Sequence, residues 1–226
     1  MGANEVSVVL AHGAWADGSS WAKVAAALIA AGHKVLAAPL PLTSFEADLE
    51  ALERTVERAP GPVVVAAHAY AGAVIGATRN ERVRALVYIT ALAPDQGEAV
   101  ADVFYRTTPH PHAPELAPDH HGLIYLPENA FAEAFAPHAT AAEQALLASV
   151  QRPISPACIS VPMARPRWHE LPSWYLVAER DYMILAETQH FMAQRMGAHV
   201  RVHPADHAPM VTAPAAVVDI IREAVA

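Results

Sequence analysis

The chain has 226 residues, 54% of them hydrophobic and 17% charged, with a formal net charge of −8. That composition excludes a disordered chain, and an acidic balance without a basic stripe excludes nucleic acid as a partner. No apolar run reaches the roughly 20 residues of a membrane span, the start Met1-Gly2-Ala3-Asn4-Glu5-Val6 carries no signal-peptide pattern, and Cys158, the one cysteine, excludes an internal disulfide.

Val6 to Leu10 predicts a buried strand, followed by the loop His12-Gly13-Ala14-Trp15-Ala16-Asp17-Gly18. Ser19 or Ser20 is placed to cap a helix that runs to about Ala31 and stops at Gly32. Lys34 to Ala38 predicts a second strand, ended by Pro39 and Pro41. Thr43 with Glu46 reads as a capping box that opens a helix to about Ala59 with an acidic, exposed face. After the turn Pro60-Gly61-Pro62 comes the stretch on which the chain is organised, Val63-Val64-Val65-Ala66-Ala67-His68-Ala69-Tyr70-Ala71-Gly72. A β-branched run that breaks into small residues and resumes as a helix predicts a strand, a tight turn and a helix. Val83 to Thr90 is another strand, closed by Ala93-Pro94. Strict strand–helix alternation predicts an α/β fold, a mainly parallel sheet with helices on both faces.

From Asp95 to Pro172 the texture changes: eleven of the 19 prolines and six of the 13 histidines lie here. Prolines at that density cut a segment into short helices and loops, with Ala130 to Ala136 and Thr140 to Val150 still helical in pattern. The expectation is a single domain over residues 1–226, with a small proline-rich helical lid inserted at about 95–172. The alternation then resumes with a strand at Ser173 to Ala178, a helix from Leu185 to Met196 and a strand at Val200 to His203. Pro214 is placed to start a C-terminal helix reaching Val225.

The turn at Ala69 is where the G-x-S-x-G elbow of a serine hydrolase would sit, and here it reads Ala67-His68-Ala69-Tyr70-Ala71. Alanine therefore occupies the nucleophile position. Other parts of an acyl-transfer site are recognisable. His207 directly follows the last predicted strand, at the sheet edge where open α/β sheets bind ligands, and it is the candidate base. Asp181, past the end of the Ser173–Ala178 strand, is the candidate acid, with Asp95 as its rival; Glu179 is too near its strand, and Asp206 would point away from its neighbour. The N–H groups of Ala14 and Tyr70 are the candidate oxyanion donors. His110, His112, His120 and His121 show no spaced ligand pattern, so no metal is expected, and no G-x-G-x-x-G supports a nucleotide cofactor.

Taken together, His12-Gly13-Ala14-Trp15…Gly18-Ser19-Ser20-Trp21, His68-x-Tyr70-x-Gly72-Ala73-Val74-Ile75, Trp174-Tyr175-Leu176-Val177-Ala178-x-x-Asp181 and Asp206-His207-Ala208-Pro209-Met210 resemble bacterial α/β-hydrolases. These are relatives of the plant methylesterase, salicylate-binding and hydroxynitrile-lyase branch. The resemblance covers nearly the whole chain, including Gly122-Leu123-Ile124-Tyr125-Leu126, and implies the α/β-hydrolase fold. It implies Asp181 and His207 as acid and base, and Ala14 and Tyr70 as oxyanion donors. Trp15, His68 and Tyr125 are the expected substrate contacts. Family members read G-H-S-Y-G-G at the elbow, so Ala69 is the departure that matters. The lyases follow their catalytic histidine with lysine, and Ala208 here counts against cyanohydrin cleavage.

Three readings follow. The chain is a small-molecule carboxylic-ester hydrolase scaffold whose serine is replaced by Ala69, by engineering or naturally. Alternatively it is a cofactor-independent lyase, cyclase or isomerase that uses the His207–Asp181 pair as a base. The third reading is a non-catalytic ligand-binding pseudo-hydrolase. The expected partner is a small hydrophobic or aromatic substrate; a homodimer is left open, and nucleic acid and membranes are excluded. Cytoplasmic location is expected from the lack of a span and of a signal-peptide pattern together with the single cysteine, and thirteen arginines against two lysines point to a GC-rich bacterial source.

Overall fold

A computed structural model describes residues 6–226; the signal-peptide reading at residues 1–5 lies outside the described residues. Valine-rich runs form the middle of a six-stranded sheet in the order β2-β1-β3-β4-β5-β6. The strands are β1 (Ser7–Ala11), β2 (Val35–Ala38), β3 (Val63–His68), β4 (Val83–Ile89), β5 (Ser173–Ala178) and β6 (His199–His203). Every neighbouring pair is parallel. Parallel strands covered on both faces need continuous apolar sequence, and β1 and β3 are buried at every residue.

The helices are α1 (Ala22–Ala30), α2 (Phe45–Arg58), α3 (Ala71–Ala77), α4 (Val100–Phe104), α5 (Ala141–Val150), α6 (Ala186–Arg195), α7 (Pro209–Thr212) and α8 (Pro214–Val225). Strand order decides which face each one covers. The crossover from β1 to β2 runs one way along the sheet, and those from β2 to β3, β3 to β4 and β5 to β6 run the other way. With right-handed crossovers, α1 is placed on one face and α2, α3 and α6 on the opposite one. Accordingly α1 packs against α8, and α2 against α3.

Local chemistry moves several expected caps. Asp17, not Ser19 or Ser20, starts the first turn: its Oδ1 accepts the Ser19 N–H at 2.8 Å, and a 3₁₀ turn at Gly18–Trp21 leads into α1. The cap of α2 is Ser44 rather than Thr43, since the Ser44 Oγ accepts from Ala47 N at 3.2 Å. Leu42, held at φ +61, turns the chain just before it. The acidic face expected of α2 is interrupted by Asp48, which lies on the buried stripe with Phe45, Leu52 and Thr55. The predicted helix at 130–136 is a π-helix, Phe131–Phe135, inside a segment between β4 and β5 that is otherwise short helices and loops. One antiparallel bridge, Ile124 to Ile154, ties that segment to itself.

Candidate active site

The turn after β3 is the tightest point of the fold. Ala69 has φ +49, a left-handed conformation that costs a residue with a Cβ about 1–2 kcal/mol. It is held there because Ala69 O accepts the N–H groups of Gly72 at 3.1 Å and Leu92 at 2.9 Å. Two glycines let neighbouring backbone close around it. A Cβ on Gly13 would stand 2.9 Å from the Ala69 Cβ and 3.0 Å from His68 Nδ1. A Cβ on Gly72 would collide with Leu92 O. Gly13 therefore lays the loop after β1 directly on the turn. Among the described residues neither Ala14 N nor Tyr70 N donates a hydrogen bond, so two backbone donors flank Ala69 unspent. Trp15 N, by contrast, is committed to Arg152 O at 3.0 Å.

His207 stands after β6 and Asp181 after β5. Nδ1–H of His207 donates to Asp181 Oδ2 at 2.8 Å, and both residues are buried. The carboxylate is fixed by its other bonds: Met183 N and Ile184 N each donate to Oδ1 at 2.8 Å, and Gln189 Nε2 donates to Oδ2 at 2.9 Å. Gln189 in turn accepts from Ala178 N at 2.9 Å, which braces the acid against the end of β5. With its Nδ1 proton held by a carboxylate, His207 keeps a lone pair on Nε2. Nε2 makes no hydrogen bond among the described residues, and His207 lines the cavity beside Ala69.

Asp95, the rival acid, is instead paired with His169 at 2.8 Å. Asp206 accepts from Ala208 N, Thr212 Oγ1 and His138 N, and so faces away from the imidazole beside it.

His68 does not line the cavity, which corrects its assignment as a substrate contact. Its Nε2–H donates to the carbonyl of His207 at 2.7 Å, and Thr90 Oγ1 donates to the same oxygen at 3.2 Å. The ends of β3 and β4 thus pin the main chain of His207. Burial, and then the neighbouring His207, hold the His68 pKa well below its ordinary 6.5; burial also lowers that of His12. Phe135 of the π-helix sets its ring edge against His207, with centroids 5.1 Å apart. Tyr125 is also corrected: it is 47% exposed, because along an extended segment it alternates with Ile124, and Ile124 is the one that faces the cavity. Trp15 is wall and packing at once, lining the cavity while its Nε1 donates to Ile124 O at 3.0 Å.

Tyr70 also lines the cavity, and its hydroxyl donates to Asp48 Oδ2 at 2.7 Å. The other oxygen of Asp48 accepts from Leu42 N at 2.7 Å. Burial raises the pKa of Asp48, and burial with the adjacent Asp48 pushes the Cys158 thiol up to about 12. Sequence reasoning missed Gln189, Phe135 and Asp48. A carboxylate at i+3 from Phe45 on an apolar helix stripe was a readable sign for Asp48 alone.

The cavity opens to solvent and, counted with that opening, takes in about 550 Å³ of atom-free space; its lining carries no Asp, Glu, Lys or Arg. Among the described residues no three or more His, Cys, Asp or Glu cluster as a metal site, and no helix is long and apolar enough to cross a membrane.

Residues 8–220 match the model of the alpha/beta hydrolase family. No curated protein sequence matches the chain. Among solved structures it is similar to polyneuridine aldehyde esterase, at 19% identity and a TM-score of 0.78 over 97% of this chain and 98% of that one. It is similar to a pyrethroid hydrolase from Sphingobium faniae, at 22% identity and a TM-score of 0.81 over 97% of each chain. A methylesterase from Arabidopsis gives 15% identity and a TM-score of 0.79 over 97% of this chain and 98% of that one. Likeness at such identities is likeness of fold, but the family match spans nearly all of the sequence. The chain belongs to the alpha/beta hydrolase family.

Proposed function

We propose that the site is built for hydrolysis of small carboxylic esters with apolar arms, and that Ala69 leaves it able to bind an ester and polarise its carbonyl without forming an acyl-enzyme. The observation that carries this reading is the set of parts that meet at one cavity: Ala14 and Tyr70, whose backbone N–H groups have no acceptor among the described residues, Ala69, and His207 with its Asp181 partner. An ester carbonyl oxygen directed at Ala14 N–H and Tyr70 N–H would gain negative charge as its carbon is attacked, which is what such donors stabilise. A serine hydroxyl at position 69 would pass its proton to His207 Nε2 as it attacked, with Asp181 holding the imidazolium that forms. Alanine removes that oxygen, and with it the covalent intermediate. The segment at about 95–172 acts as a lid within a single domain over 1–226, and its apolar wall selects a small hydrophobic or aromatic substrate. The esterase, pyrethroid hydrolase and methylesterase among the structural neighbours fit this reading.

A second reading, proton-transfer chemistry on a substrate C–H or O–H, is favoured by one observation. His207 Nε2 stands without a hydrogen-bond partner among the described residues, as a general base awaiting substrate would. A protein that only binds its ligand has no need of a braced acid–base pair.

The test is Ala69→Ser, assayed with the unsubstituted protein against activated aryl esters. The ester reading expects turnover to rise by at least about 10³-fold, since loss of such a serine costs on the order of 10⁶. An Ala69→Ser protein that folds, with no gain on any ester, would contradict it. If the second reading holds, Ala69→Ser changes little and His207→Ala abolishes turnover of the true substrate.

A further inference from the structure

Next to the cavity at Ala69 lies a second one, which opens to solvent and with that opening takes in about 720 Å³ of atom-free space. The two share a wall of four side chains, Phe104, Tyr105, Leu116 and Met183. Beyond that wall the outer chamber is lined by Pro109, Ala113, Pro114 and Glu115. Prolines fix the backbone of that rim, so its shape is set before a ligand arrives. Tyr105 is 53% exposed at the boundary, its ring set edge-on against Phe104 with centroids 4.9 Å apart.

Charge divides the two chambers. The inner one has no formal charge among its lining residues other than any that His207 acquires, so an ionised group there would be buried without a partner. Glu115 is the one charged residue lining the outer chamber, and no cation accompanies it. Position adds a direction. Met183, in the shared wall, donates its N–H to Asp181 Oδ1 at 2.8 Å, so the wall between the chambers adjoins the Asp181–His207 pair. In acyl transfer the imidazolium of such a pair returns its proton to the departing alcohol.

We propose that the outer chamber is a second subsite, which receives the alcohol arm of the ester while an apolar acyl arm fills the inner cavity. The inference rests on the ester reading above and narrows it. The substrate is a two-armed ester whose alcohol half is bulky, aromatic or alicyclic, and carries no negative charge. Simple methyl esters leave the outer chamber empty, and esters with an anionic alcohol arm are repelled by Glu115.

The chain as it stands suits the test, because without a serine at position 69 an ester is bound intact. Calorimetric titration with methyl phenylacetate, benzyl phenylacetate and 4-carboxybenzyl phenylacetate compares the arms directly. The benzyl ester is expected to bind at least about tenfold more tightly than the methyl ester, the least that burying a phenyl ring confers. The carboxybenzyl ester should bind about threefold to fivefold more weakly than the benzyl ester, since its charge adds to that of the exposed Glu115. Ala113→Trp, which fills the chamber, should weaken the benzyl ester about tenfold more than the methyl ester. Glu115→Lys, at an exposed position that folding tolerates, should bring the carboxybenzyl ester level with the benzyl ester. Equal binding of methyl and benzyl esters, or equal losses of both in Ala113→Trp, would overturn the subsite and leave the ester reading standing. Binding of none of the three would overturn both.

Discussion

The carboxyl edge of the sheet and the segment between β4 and β5 face each other across one cavity, and different forces hold them. At the sheet edge each group is tied by polar bonds to a strand end or to the loop that follows it. Asp181 accepts four hydrogen bonds, the His207 carbonyl accepts two, and Ala69 is locked in a left-handed turn by its own carbonyl. The facing wall is made of apolar side chains such as Ile124, Ile154 and Ile159; polar bonds such as Trp15 Nε1 to Ile124 O, Ser155 N to Leu42 O and Lys23 to Glu143 fasten the segment that carries them to the body, but these side chains themselves meet the cavity through apolar contact alone. Directional bonds fix atoms to a few tenths of an ångström, as acid–base chemistry requires. Apolar contacts fix only volume. On the proposed reading, the sheet edge sets which reaction is available and the opposing segment sets which ester reaches it.

Substitutions on the two sides should separate accordingly. In an Ala69→Ser background, Gly13→Val would drive a side chain into Ala69 and His68 and displace the Ala14 N–H. The expected loss is about 10²–10³ in kcat, the size of one oxyanion donor, for every ester alike. Stopped-flow turnover on a short and a long ester checks it, and a loss confined to one ester would break the comparison. On the other side, Ile159→Trp in the same background narrows the apolar wall. It should raise KM by about tenfold for a bulky acyl chain relative to acetate, with the effect on kcat the smaller of the two. An equal fall in kcat for both substrates would show that this wall also shapes the chemistry.

A smaller effect distinguishes the two sides by pH. His12 and His68 are kept neutral in the fold by burial, so their folded pKa values lie below the ordinary 6.5. The unfolded chain takes up those protons as the pH drops past that value. Stability is thus fully present above it and lost as the pH falls, by up to about 1.4 kcal/mol per pH unit for each histidine. Urea midpoints between pH 7.5 and 5 measure the slope. His68→Gln, which keeps a donor for the His207 carbonyl, should make it shallower; an unchanged slope would mean that His68 is not held neutral.

Much of this was legible in the sequence, and unevenly so. The strands of the sheet follow from valine-rich runs, and the order of Ala69, Asp181 and His207 along the chain anticipates which loops meet at one edge. What periodicity could not show was which way a side chain faces once the segment is irregular. Tyr125 and Ile124 are neighbours, and only the bridge between Ile124 and Ile154 decides that the isoleucine enters the cavity. His68 lies in the elbow motif yet turns behind it, because its partner is a carbonyl 139 positions along the chain. Gln189 is equally silent: an amide on a helix acquires meaning only when the fold brings Asp181 against it. Caps moved by a residue or two because Asp17 and Ser44 compete with neighbours of the same chemistry.

The most direct measurement is intact-mass spectrometry of Ala69→Ser after exposure to an aryl phosphonate, beside the unsubstituted chain and Ala69→Ser/His207→Ala. If the parts around position 69 form an acyl-transfer site that lacks only its oxygen, Ala69→Ser gains one phosphonyl group per chain, mapped to residue 69. The other two proteins stay unlabelled. A folded Ala69→Ser that takes up no label, or that labels equally well without His207, would contradict that account.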